Sequence, residues 1–377
     1  MPHAAFATLV LIAAPGLAAT PAKAPANAVA PATEAAVAHP VAANPVAPAS
    51  SVATNDSEAP AARAINAQAF VSKPDKEAKR RMLIRAQVLL DRAHFAPGVI
   101  DGAPGSNLTL ALKGWQAANG RPATGTLDKA SYDKLVANDG AAVIRDYTLV
   151  DLDVAGPFAE PVEPGDYVGM AARPNMTWTS AVESLAERAH MDEALVKALN
   201  PGAAFDAAGK SILVASVARP KLPPVTRIEV DKTAQELRAY ADDKLVALYP
   251  ATVGSVERPA PDGDWAVRTV ATAATYTFDP ARLTFKAKTP VGTPAGVEPP
   301  VGKLTIKPGP NNPVGTTWID LTKDTYGIHG SPNPRLVGKR ASHGCVRLTN
   351  WDAAELAKAV KAGAKVSFGG AETRAKT

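Results

Sequence analysis

The stretch from Ala19 to Ala62 is the strongest constraint on this chain. It is built mainly of alanine and proline, with no aromatic residue and almost no charge. Such a segment cannot bury enough apolar surface to offset the entropy of ordering it, and its prolines keep it extended. Residues 19–75 therefore read as a disordered linker, and the packed units must follow it. The chain has 377 residues, of which 34 are proline and 27 glycine. That length holds two or three units of about 100–150 residues. At 46% apolar and 20% charged residues the composition is that of a soluble globular protein, which excludes a membrane transporter and a fully disordered chain. A net charge of +5 without a focused basic stripe does not make a nucleic-acid binder.

Ahead of the linker, Ala4 to Ala14 is an unbroken run of small and apolar residues, and Gly16-Leu17-Ala18 offers the small residues a signal peptidase inspects. Residues 1–18 read as an export signal, although its start carries His3 and no Lys or Arg. A frayed apolar terminus or a buried helix is the alternative. The run falls short of the ~20 residues that span a bilayer. The expectation is an exported protein of the periplasm or cell wall, with no transmembrane helix in its mature form.

Order begins near Lys76. Met82, Ile84, Ala86, Leu89 and Leu90 mark one face of a first helix, Leu108 to Gln116 a second, and a third ends near Leu135. Turns at Gly98-Val-Ile-Asp101-Gly102 and Thr124-Gly-Thr-Leu-Asp128 separate them, with glycines suited to positive φ and Asp101 capping its own turn. With Gln87-xx-Leu90 and Trp115-Gln116, these features resemble the small three-helix peptidoglycan-binding domain, assigned here to residues 76–140. The resemblance implies a glycan-strand adaptor. Any three-helix bundle with Gly-rich turns is the alternative. Residues 166–216 contain two short helices, Ala181 to His190 and Glu193 to Leu199, a stop at Asn200-Pro201-Gly202 and a strand at Ile212 to Val214. This small α/β unit resembles a LysM module, whose opening aromatic strand before a Gly-Asp turn is only loosely matched at Gly165-Asp166; a plain α/β unit is the alternative.

From Pro220 the character changes. Pro220 to Pro224 is a stiff boundary, and β-rich runs follow at Thr226–Asp231, Glu236–Tyr240, Leu245–Val253, Trp265–Val270, Leu304–Ile306, Thr317–Leu321, Gly327–His329 and Val346–Leu348. Ala241 to Lys244 reads as a hairpin loop. Thr349 and Asp352 have capping-box spacing and open one helix, Trp351 to Lys361, which Gly363 ends before a strand at Ala364–Phe368. The fold class is thus multidomain: an all-α three-helix domain, a small α/β unit, and a mainly-β domain with one helix over residues 225–368, followed by a tail, 369–377.

The only cysteine of the chain is Cys345, so no intrachain disulfide and no Cys-based zinc ribbon can form. In an exported protein a lone thiol is a liability unless it is used. It sits in Ser342-His343-Gly344-Cys345-Val-Arg347, an electropositive and permissive setting expected to lower the thiol pKa. His329, in Tyr326-Gly-Ile-His329-Gly330-Ser331, is the candidate base, and Gly344 can turn backbone N–H groups toward an oxyanion. Zinc held by His329, His343 and Cys345 would lack a fourth ligand, and an inert buried cysteine is the other alternative.

The pattern of His, a dozen or more residues, then Ser/Thr-His-Gly-Cys resembles the active-site signature of the L,D-transpeptidase family with its YkuD-type catalytic domain. That resemblance implies Cys345 as nucleophile, His329 as base, His343 and Ser342 shaping the active-site loop, Gly344 at the oxyanion, and Arg347 supporting or binding substrate. Some relatives carry Ser directly after the base histidine; here Gly330 stands there, so only a backbone carbonyl could orient the imidazole. The resemblance further implies acyl transfer from a peptidoglycan tetrapeptide stem, without a metal or organic cofactor. The partners it implies are stem peptides and glycan strands, and the acceptor it implies is a stem amine or a lysine of a wall-anchored lipoprotein. A hydrolytic cysteine peptidase or carboxypeptidase of the wall, and an inactive peptidoglycan-binding protein, are the rival readings.

Overall fold

The computed structural model describes residues 58–254, 259–260, 262–280, 302–339 and 344–370. The expected export signal, most of the expected linker, Ser342, His343 and the last residues of the tail lie outside them.

The linker ends earlier than its composition suggests. Pro60–Asn66 forms helix α1, starting on a proline, with Ala62 and Ile65 buried. Asn66 explains why it docks: its side-chain oxygen accepts from the N–H groups of Val143 and Ile144, and its amide donates to the Ile144 carbonyl. Three specific bonds offset the ordering cost that alanine and proline alone could not.

Three helices follow: α2 (Lys76–Arg92), α3 (Ser106–Ala118) and α4 (Lys129–Asn138). Asp75 and Asp128 cap α2 and α4 by accepting from the N–H groups of Ala78 and Ser131. The motif glutamines hold the turns. Gln87 accepts from Gly102 N–H at 2.8 Å and donates to Asp101, and Gln116 accepts from Gly125 N–H at 2.8 Å and donates to Thr126 O and Ser131 Oγ. Gly102 and Gly125 both have positive φ, so these residues serve the fold before any ligand.

The next unit begins not at residue 166 but at β1 (Ile144–Thr148). It continues through α5 (Asp151–Val154), α6 (Tyr167–Ala171), α7 (Ala181–Arg188) and α8 (Glu193–Leu199) to β2 (Ser211–Ala215), which pairs antiparallel with β1. The Gly165-Asp166 turn opens α6, with Asp166 accepting from Gly169 N–H, rather than following a strand. One continuous apolar core joins this unit to the three helices, running from Leu83 and Trp115 to Leu195 and Val214. The two regions are not separate beads.

The C-terminal part is built on a nine-stranded sheet. Its strands are β3 (Val225–Asp231), β4 (Glu236–Ala241), β5 (Lys244–Pro250), β6 (Thr252–Val253), β7 (Gly263–Thr272), β10 (Thr317–Leu321), β11 (Gly327–His329), β12 (Val346–Arg347) and β13 (Val360–Gly369). A small pair, β8 (Tyr276–Phe278) and β9 (Leu304–Ile306), stands beside it. The spatial order is β5-β4-β3-β13-β7-β10-β11-β12-β6, antiparallel except for β3/β13 and β11/β12. The β4–β5 loop is shorter than expected: Asp242 and Asp243 alone make the turn, Asp242 with φ 52°. Helix α9 (Asn350–Ala359) is capped by Thr349, whose hydroxyl accepts from Asp352 N–H. It stops before Lys361 because Val360 is buried and pairs with Val225, so the sheet takes it; Gly363 lies within an irregular stretch of β13.

The Pro220 boundary is riveted rather than hinged. Leu248 N–H donates to His94 O, and Ala96 N–H to Leu248 O. Beside them the buried Arg219 guanidinium donates to Asp91 of α2 and to Asp352 (2.9 Å) and Glu355 (2.6 Å) of α9. Burial disfavours these charges, but Arg219 and His190 hold Asp91 well below the usual carboxylate range. Burial likewise opposes ionisation of Glu355, which Arg219 and His94 pull down to about 2. Arg219→Ala would leave buried carboxylates unpaired and is expected to cost about 3–5 kcal/mol in denaturant unfolding. Glu355 ionises in the unfolded chain near the ordinary glutamate value of 4.5. Its depressed pKa therefore stabilises the fold above that value, and this part is lost as pH falls from 4.5 toward 2. Thermal melts across that range should show the loss in the native chain and a weaker dependence in Arg219→Ala.

Candidate active site

The parallel register of β11 and β12 assembles the site. Ile328 lies beside Val346 and His329 beside Arg347. Side chains alternate along a strand, and Ile328, Val346 and Leu348 are buried in the core of the sheet domain. Gly327, His329, Cys345 and Arg347 therefore share the opposite face. Across β10, Trp318 is the antiparallel partner of His329 and stacks on its ring, centroids 5.4 Å apart and planes 19° apart.

His329 is fixed at one nitrogen. Its Nδ1 lies 2.7 Å from the carbonyl oxygen of Gly330. A carbonyl only accepts, so Nδ1 carries the proton and Nε2 keeps a lone pair for a substrate or thiol proton. Burial, reinforced by Arg347, pulls the imidazole down to about 3, against the Gly330 hydrogen bond.

Cys345 is half-buried, packed against the cluster of Ala274, Val314 and Trp318. Its Sγ lies 3.7 Å from the Thr325 carbonyl oxygen. The flanking charges suggested a lowered thiol pKa; the structure reverses this. Burial pushes the thiol up, and neither the Gly327 backbone nor Arg347 restores it. The same burial acts on both partners, raising the acid and lowering the base, so the resting pair is an uncharged thiol and an uncharged imidazole.

Gly344 has φ +116°, a backbone conformation that L side chains rarely adopt, and a Cβ there would lie 3.2 Å from the Tyr326 ring. Gly330 is required for space rather than conformation: a Cβ on it would lie 2.1 Å from Asn350 Oδ1. Arg347 is tucked among other groups of the cleft: burial lowers its pKa, while the Cys345 thiol, Tyr167 and Tyr276 counteract this.

Sequence reasoning missed the aromatic wall. Tyr167 of α6 stacks on Phe278 at 4.2 Å and lies 5.9 Å from Tyr276, which packs both against the cluster around Met170, Met176 and Ile306 and against that containing Cys345. Trp318 was legible in principle, since it alternates with the core residues Ile319 and Leu321. Tyr167 was not, because only tertiary docking brings α6 to the sheet. Among the described residues no cluster of His, Cys, Asp and Glu could hold a metal ion.

Comparison with known proteins now bears on this site. Residues 225–367 match the family model of the L,D-transpeptidase catalytic domain, and residues 81–135 that described as "Putative peptidoglycan binding domain". A Bacillus licheniformis protein named "Putative L,D-transpeptidase YkuD" is 32% identical over 178 residues, which cover 47% of this chain and 85% of that protein. The Escherichia coli K12 protein "Probable L,D-transpeptidase YbiS" is 28% identical, over 39% of this chain and 46% of that one. Among solved structures, an L,D-transpeptidase from Mycobacterium smegmatis is 19% identical, over 42% of this chain and 63% of its own, with a TM-score of 0.28. With the relative from Bacillus licheniformis matched over most of its length, this chain belongs to the L,D-transpeptidase family with a YkuD-type catalytic domain.

Proposed function

We propose that this protein is an exported cell-wall enzyme in which Cys345 transfers the acyl group of a peptidoglycan stem peptide through a thioester. The observation that carries the reading is the shared face of two parallel strands, with Cys345 and His329 on it and the imidazole held by Gly330 so that Nε2 is free. Cys345 Sγ attacks the carbonyl between the third stem residue and the terminal D-Ala while its proton passes to His329 Nε2. The tetrahedral oxyanion collapses, the D-Ala amine leaves with the proton from His329, and a thioester remains. An acceptor amine then attacks the thioester, gives its proton to His329, and the thiolate leaves and is reprotonated. A stem amine gives a 3→3 crosslink, and a lysine of a wall-anchored lipoprotein gives an attached protein; water would make the enzyme a carboxypeptidase. Gly344 N–H serves the oxyanion, Arg347 the substrate, and Ser342 and His343 shape the loop. Because the resting pair is uncharged, the base acts during attack rather than before it.

The N-terminal helices and the LysM-like unit act in this reading as the adaptor for glycan strands. A wall-binding unit on the same chain raises the effective concentration of substrate at the cleft.

Purified protein incubated with defined tetrapeptide muropeptides should give crosslinked products and free D-Ala by mass spectrometry, and Cys345→Ser should give neither. Stem peptides shortened only by D-Ala would favour the hydrolytic reading, and no product at all the inactive one. The neutral pair makes a second prediction. Alkylation of Cys345 should climb with pH on the alkaline side of an ordinary thiol, without a plateau near pH 6, and His329→Ala should lower turnover roughly 10²–10⁴-fold while leaving the thiol labelable at high pH. Fast, pH-independent labelling near pH 6 would mean a preformed ion pair. A third test uses carbapenems, whose strained ring is attacked like the scissile amide: one adduct per chain is expected, absent from Cys345→Ser.

A further inference from the structure

Two glutamates one turn apart on α7 reach out of the middle unit into the catalytic domain. Glu183 accepts from the Asn311 amide at 2.8 Å, and Glu187 accepts from the Asn350 amide at 2.6 Å and from the Trp178 indole N–H at 2.9 Å. The loop they grip is pinned from the other side as well, since Met176 N–H donates to Pro308 O and Asn311 N–H to Met176 O. The cysteine–histidine chemistry uses none of these groups.

Asn350 leads from Glu187 to the base. Its Nδ2 donates to Glu187 and to the Pro310 carbonyl, and its Oδ1 accepts from Thr316 N–H. That Oδ1 also lies directly under two glycines: a Cβ on Gly315 would sit 2.0 Å from it and one on Gly330 2.1 Å. Gly330 is the residue whose carbonyl holds His329 Nδ1. A carboxylate accepts only, so Glu187 dictates which end of the Asn350 amide faces it and which faces Gly330.

We propose that Glu187 is a positioning residue for the transfer reaction: it fixes the Asn350 amide, which seats Gly330 and so aims the His329 imidazole at the thiol. The inference rests on the reading of His329 as the base. It makes catalysis depend on docking of the middle unit, 163 residues away along the chain from Glu187 to Asn350. Burial raises Glu187 to about 7 and Glu183 adds to this, while the Trp178 and Asn350 donors oppose it. Around it, Glu183 is held by Thr179 and Asn311, and Asp352 and Glu355 of α9 are tied to Arg219. His190 stacks on Trp351 and bonds Asp91, and no cation pairs with Glu187 among the described residues. Protonation puts an O–H against an amide donor, so the alignment and the rate should both rise as pH increases through about 7.

The test is Glu187→Gln in the full chain. Its amide must face a donor at Trp178 or Asn350, so kcat should fall about 10–100-fold with KM nearly unchanged, and the rise of rate through pH 7 should vanish. Stability should move the other way. A carboxylate with a raised folded-state pKa is disfavoured as pH climbs from 4.5 to about 7, so the glutamine variant should melt no lower than the native protein at pH 8. Trp178→Phe, which keeps the Asn350 bond, should retain native kcat at alkaline pH, where Glu187 is ionised, with the rise of rate moved to higher pH because the Trp178 donor is lost. A Glu187→Gln enzyme with native kcat and pH profile overturns the proposal, and so does an equal loss at alkaline pH in Trp178→Phe, which would reflect docking in general. His329→Ala separates the two readings: if it retains transfer, the base assignment falls; if it abolishes transfer while Glu187→Gln is native, only this inference falls.

Discussion

Three carboxylates converge on Arg219, and the arrangement of the whole chain depends on that one guanidinium. Asp91 and Asp352 are fully buried, and neither could be ionised there without a cation. One positive charge does not satisfy three negative ones equally. Asp91 and Glu355 are pulled down, whereas burial and the neighbouring Asp91 push Asp352 up. His94 at Glu355, His190 at Asp91 and the Tyr249 hydroxyl at Glu355 complete the shell. The network ties α2 to α9, so the helical unit and the sheet domain share one electrostatic joint as well as the backbone bridge from Phe95 to Leu248. The proline-rich boundary at Pro220 reads as stiff in itself; Arg219, the residue just before it, adds the tertiary tie that locks the two sides together.

Because α9 is held at Asp352 and Glu355, its first residue is held too, and that residue is Asn350. The parallel strands β11 and β12 then act within a fixed frame. Stacking of Trp318 on His329 buries the imidazole, and packing of Val314 and Ala274 against Cys345 leaves its thiol half-buried. Burial raises the thiol pKa and lowers that of the imidazole, at the cost of a ready-made thiolate. With Cys345 as the proposed nucleophile, the arrangement favours a thiolate that is generated only when a carbonyl is in place to receive it.

Much of this was legible in the sequence. The helices α2, α3 and α4, and the strands from Thr317 to Leu321 and Gly327 to His329, are local features with clear periodicity and clear breakers. The family motif also lay in one short segment. What escaped was decided at a distance. Ala62 and Ile65 looked like linker until Asn66 found its partners at Val143 and Ile144. Val360 looked helical until Val225 claimed it for the sheet. The direction of the Cys345 shift was misread because flanking residues reveal charge, whereas burial is set by Trp318 and Val314, about thirty positions upstream on β10 and in the turn before it. Tyr167 gave no signal, because the cleft it enters is built from the other half of the chain.

Gly330 shows how that distance matters for chemistry. A serine after the base histidine, as some relatives have, could orient the imidazole with its own hydroxyl. Here the space such a side chain would need is filled by Asn350 Oδ1, so the main-chain carbonyl takes over the task. A carbonyl holds a ring only as firmly as its own peptide is held, and this peptide rests on an amide that α7 orients through Glu187. In the proposed reading, the orientation of His329 depends on a chain of contacts crossing the domain boundary rather than on one local hydroxyl. On the proposal that Glu187 positions His329, a catalytic domain organised this way is aligned for reaction when the unit beside it is docked, which would couple the state of the N-terminal half to the reactivity of Cys345.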